Sequence, residues 1–83
     1  MSEKDRRLVE VMSANVRFYM EQKRISQNEL SRRSGENRLT IHRMMHGKVA
    51  PTIGTFFRIA SALGVTTNDL LPALPEENIS KTA

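Results

Sequence analysis

Apolar residues recur along this chain at intervals of three and four, and nowhere alternate with period two over a useful length. Leu8, Met12, Val16 and the Tyr19–Met20 pair fall on one side of a helix predicted over about residues 5–22. The polar run Glu21-Gln22-Lys23-Arg24 ends that helix, and Ile25 is expected to fold back onto the core. Ser26 and Glu29 have the S-x-x-E spacing of a capping box, which predicts the start of a second helix. It is anchored by Leu30, runs for about eight residues and ends at Gly35, where a left-handed cap suits glycine.

Asn37 predicts the N-cap of a third helix that opens Arg38-Leu39-Thr40 and stops at Gly47. At about 100° per residue, Ile41, Met44 and Met45 share one face, with Leu39, His42, Arg43 and His46 on the other. A fourth helix begins after Thr52, with Ile53, Phe56, Ile59, Ala60 and Leu63 as its inner stripe, and ends at Gly64. Thr66 and Asp69 cap a short fifth helix carrying Leu70 and Leu71, after which Pro72 and Pro75 break the pattern. The expected fold is all-α: five short helices packed as one domain over residues 1–71, followed by a loose tail over residues 72–83.

The third helix is the unusual element, because only one side of it suits a core and the other gathers arginines and histidines. Composition narrows what that side could do. A chain of 83 residues has little room for a large buried active site. The lack of cysteine excludes disulfides, thiolate metal sites and thiol catalysis. No nucleophile–base–orienter set or phosphate-cradling glycine loop is present, so no enzymatic activity and no cofactor are expected. The N-terminal stretch lacks a signal-peptide core and no apolar run is long enough for a membrane span, so a cytoplasmic location is expected.

The net charge of +4 is unevenly distributed. Residues 1–58 carry 12 Lys and Arg against 6 Asp and Glu, a balance of +6; residues 59–83 carry 1 against 3, a balance of −2. A basic body favours a polyanion as partner. With four aromatic residues and no Trp, a stacking platform for single strands is not expected.

The ordered set Ser26-Gln27, Glu29-Leu30, Gly35, Thr40-Ile41, Arg43, Gly47-Lys48, Pro51, Ala60, Leu63-Gly64-Val65 and Leu70-Leu71 resembles the Cro/C1-type helix-turn-helix family, the lambda-repressor-like DNA-binding domains. The resemblance covers about residues 8–71 and implies that the second helix crosses the DNA backbone while the third lies in the major groove. It implies a sequence-specific regulator of transcription acting on double-stranded DNA, as a repressor and homodimer on an inverted repeat. The alternatives are an antitoxin that also binds a toxin, and a protein-interaction adaptor using the same fold. The sequence departs from the family pattern at Ser31 and Ser34, where small or apolar residues are common, and at Glu36, which adds a negative charge to the turn. It departs again at Met20 and Met45, where the family often pairs Arg with Glu across the first and third helices.

Under this resemblance, Arg38 and Arg43 are the leading base-reading candidates, since a guanidinium can grip guanine O6 and N7 together. Asn37, Leu39 and His42 join them, Leu39 through a thymine methyl. Gln27 and Lys48 are phosphate-contact candidates, with Asn28, Thr40, His46 and Arg17 as weaker ones. Phe57 and Leu71 are the candidates for a dimer interface. His42 and His46 have ligand spacing, but no third ligand is evident and Arg43 beside them would repel a cation, so no metal site is expected.

Overall fold

A computed structural model describes residues 2–71 of the chain. The predicted tail over residues 72–83, with Pro72 and Pro75, lies outside the described residues. Five helices follow one another: α1 (Glu3–Lys23), α2 (Gln27–Ser34), α3 (Arg38–Met45), α4 (Ile53–Leu63) and α5 (Thr67–Leu70). There are no strands among the described residues.

The first helix is longer than its apolar periodicity predicted, because Ser2 caps it by accepting from the Asp5 amide at 3.1 Å. Its acidic first turn, with Glu3 and Asp5, also suits the positive end of the helix dipole. Its inner face is rotated from the expected one: Val9, Met12, Ser13, Val16 and Met20 are buried, while Leu8 is 40% exposed. Arg24 closes α1 in the left-handed conformation, at φ 55°. The Ile25 amide then donates to the Met20 carbonyl at 2.8 Å, a reversal that turns Ile25 into the core as expected.

Caps define the other boundaries. Ser26 accepts from the Glu29 amide, but the Glu29 carboxylate pairs with Arg32 and Arg33 instead of returning to Ser26, so the expected box is half formed. Asn37 accepts from the Leu39 amide at 2.7 Å and Thr52 from the Thr55 amide at 3.1 Å. Thr66 and Asp69 complete a full capping box. Leu71 is the C-cap of α5 in extended conformation, not a helical residue.

The core gathers Leu30 of α2, Ile41, Met44 and Met45 of α3, Ile59 and Leu63 of α4, and Leu70 of α5 against Val16 and Met20 of α1. One stripe residue is misplaced by the sequence reading: Ile53 is 88% exposed, and Thr55 is buried in α4 instead. Thr52, Ile53 and Gly54 are all exposed, so the stripe begins at Thr55 and Phe56. A buried hydroxyl and a half-buried amide stitch α1 to its neighbours. Ser13 Oγ donates to the Met44 carbonyl at 2.8 Å, and Asn15 Nδ2 donates to the Leu70 carbonyl at 2.9 Å. Both bonds go to carbonyls at helix C-termini, and the Met44 carbonyl also accepts from the Gly47 amide at 3.0 Å.

Candidate nucleic-acid interface

Helices α2 and α3 are joined by the tripeptide Gly35-Glu36-Asn37. Gly35 makes the turn possible, with φ 77° and its amide on the Ser31 carbonyl at 2.9 Å. Ser31 Oγ donates to the Glu36 carbonyl at 2.6 Å, and the Glu36 amide donates to Ser34 Oγ at 3.1 Å. The two serines that depart from the family pattern therefore pin this turn, and Ser34 is buried.

That turn sets α3 with Ile41, Met44 and Met45 inward and Leu39, His42, Arg43 and His46 outward, as the periodicity predicted. Leu39 is 52% exposed, a large apolar side chain left uncovered among cationic neighbours. Arg43 and Lys48 form no ion pair among the described residues, so their charge is available to a partner. Together with Leu39, His42, His46 and Val49 they line a shallow surface depression. The two imidazoles stack with centroids 4.1 Å apart and planes tilted by 35°. His46 Nδ1 lies 2.9 Å from the His42 carbonyl. Among the described residues no three His, Cys, Asp or Glu side chains come together as a metal site.

The amino ends of α2 and α3 meet in a second open cleft of about 480 Å³, lined by Ser26, Gln27, Asn28, Arg38, Leu39 and His42. Here Arg38 Nη1 donates to Asn28 Oδ1 at 2.8 Å. Asn28 thus holds the guanidinium of a base-reading candidate, a role its sequence context did not suggest. Gln27 lies half-buried beside it, and Asn37 is tied to the cap of α3. Thr40 is half-buried on the flank of the same helix. At the other end, Arg17 Nη2 donates to the Met45 carbonyl at 3.3 Å. Arg17 therefore serves the C-terminus of α3, where a cation is favoured by the helix dipole. Met20 and Met45 are both buried in the same apolar cluster. Ser13 and Arg17 supply polar contacts between α1 and α3 near the position where an ion pair is common.

Away from this face, Phe57 is 65% exposed and Leu71 39% exposed, with Ile53 one helical turn before Phe57 on α4. Sequence reasoning missed Ile53 because an apolar residue immediately after an N-cap looks like the start of a core stripe.

The HTH_3 helix-turn-helix family matches residues 16–70. This chain belongs to that family. The match begins within α1 and spans every later helix, so the whole α2–turn–α3 unit lies inside it. No curated protein sequence matches the HTH_3 chain. Among solved structures, it resembles a hypothetical transcription factor, NHTF, from Neisseria, with 29% identity, a TM-score of 0.74, and coverage of 100% of this chain and 91% of that one. It also resembles the restriction-modification controller protein C.AhdI from Aeromonas hydrophila, with 21% identity, a TM-score of 0.72, and coverage of 76% and 96%. An HTH_3 family transcriptional regulator from Vibrio cholerae shares the fold at 18% identity and a TM-score of 0.75, over 80% of this chain and 37% of that one.

Proposed function

We propose that this HTH_3 protein is a sequence-specific, double-stranded DNA-binding regulator of transcription that places α3 in the major groove. The observation that carries the reading is the division of α3 into a buried apolar side and an exposed side bearing Leu39, His42, Arg43 and His46. A helix built that way is supported by its own domain on one side and offers hydrogen-bond donors and an apolar contact to base edges on the other. Arg38 and Arg43 read bases, Asn37, Leu39 and His42 flank them, and Lys48 with Gln27 contacts phosphates at the groove edge. His46, Thr40, Asn28 and Arg17 complete the set of backbone-contact candidates. The description of the Neisseria protein as a transcription factor agrees with this reading.

The protein acts as a homodimeric repressor on an inverted repeat, because one short helix reads too few base pairs for a specific site. Exposed Ile53 and Phe57 on α4, with Leu71, supply the apolar surface that a second copy covers. Selection of bound duplexes from a random library tests the function directly. The reading requires an enriched motif with two related half-sites, and enrichment of no motif contradicts it.

A further inference from the structure

Glu36 is the residue whose negative charge fits worst on a DNA-facing turn, yet its side chain is only 12% exposed. Its partner lies 22 residues away on α4: Arg58 Nε donates to Glu36 Oε1 at 2.6 Å, and Arg58 Nη2 pairs with the same oxygen. Arg58 reaches the turn by lying over Gly54. A Cβ placed at position 54 would stand 3.3 Å from Arg58 Nη1, so the glycine leaves room for the guanidinium. The backbone of Glu36 is held at the same time by Ser31 and Ser34. The departures from the family pattern at positions 31, 34 and 36 thus meet in one hydrogen-bonded assembly that ends on α4.

We infer that Arg58 is a positioning residue for DNA recognition, tethering the α2–α3 turn to α4 through Glu36 and so fixing the first turn of α3. This rests on the reading of α3 as the recognition helix. Asn37 and Arg38 follow Glu36 directly, so any freedom of the turn passes to the cap of α3 and to the Arg38 guanidinium. The tether also cancels a carboxylate that would otherwise repel phosphate. Arg58 does this without contacting DNA.

Amide hydrogen exchange on the free protein and DNA binding across a salt series test the tether together. In Arg58→Ala, the amides of Glu36 and Leu39, which bond Ser34 Oγ and Asn37 Oδ1, should exchange about tenfold faster relative to the Asp69 amide in the remote α5 cap. The preference for the selected site over a scrambled one should fall several-fold, with the salt slope unchanged. Arg58→Ala alone leaves the mostly buried Glu36 carboxylate without its partner, so Glu36→Gln/Arg58→Ala, which leaves no unpaired carboxylate, is the control and should show the same exchange and specificity losses. Unchanged relative exchange at Glu36 and Leu39 overturns the tether. Equal weakening on both DNAs with the salt slope lowered by about one overturns it too, and makes Arg58 a phosphate contact. If exchange accelerates while the unsubstituted protein shows no preference between the two DNAs, the tether stands and the recognition-helix reading fails.

Discussion

Arg38 and Asn28 show how little a side chain's role follows from its type. An arginine that grips a base loses considerable rotamer entropy, and under the proposed function the 2.8 Å bond to Asn28 offsets part of that loss before DNA arrives. Arg38→Ala is expected to weaken binding to the selected site by about 1–3 kcal/mol and to relax the preference at one base pair. Asn28→Ala should give a smaller loss confined to the same base pair, measured by competition with duplexes altered at each position. A uniform loss on all duplexes would return Asn28 to the role of a phosphate contact. Arg38 was legible in the sequence as a basic residue on a matched helix. Its partner was not, because Asn28 and Arg38 are ten positions apart and only the Gly35 turn brings them together. Leu8 and Ile53 were misread for a related reason: periodicity gives the repeat of an apolar stripe but not where the neighbouring helix ends.

At the scale of elements, the turn and the caps govern whether α3 is presented at all. Asn37 satisfies an amide at the start of α3, and Asn37→Ala should cost about 0.5–2 kcal/mol of stability in a urea titration. Four of the five helix starts carried recognisable cap residues in the sequence, so the number and order of helices were readable. The two further residues at the start of α1 were not, since they rest on Ser2 and acidic residues and not on apolar spacing. Met20 of α1 and Met45 of α3 are buried in one apolar cluster, and that burial has a thermodynamic consequence. Met20→Arg or Met45→Glu alone places a charge among buried apolar groups and should destabilise by several kcal/mol, while the double substitution should recover much of that loss. Urea melts of the two single variants and the double variant measure the coupling directly. Additive losses would mean that the two positions do not face each other.

For the whole molecule, exposed cations gather on α3 and the following loop with exposed Leu39 among them, and a second exposed apolar pair, Ile53 and Phe57, lies one helical turn apart on α4. The proposed dimer uses that pair on α4 and leaves the outward side chains of α3 to DNA. Phe57→Lys is therefore expected to shift sedimentation toward monomer and to weaken binding to a two-half-site duplex much more than to a single half-site. Equal effects on both duplexes would remove α4 from the interface. Phe57 was legible in the sequence as an interface candidate, but only the structure shows that Ile53, one turn before it, is exposed as well.

The claim on which all of this depends is that α3 reads bases while its surroundings hold phosphates. Binding of Arg38→Ala, Arg43→Ala and Lys48→Ala to a selected site and a scrambled site, across a salt series, tests it in one experiment. Either arginine substitution should reduce the ratio of the two affinities. Lys48→Ala should weaken both duplexes alike and lower the salt slope by about one. If both arginine variants keep the full ratio, α3 is not the reading element and the account is wrong.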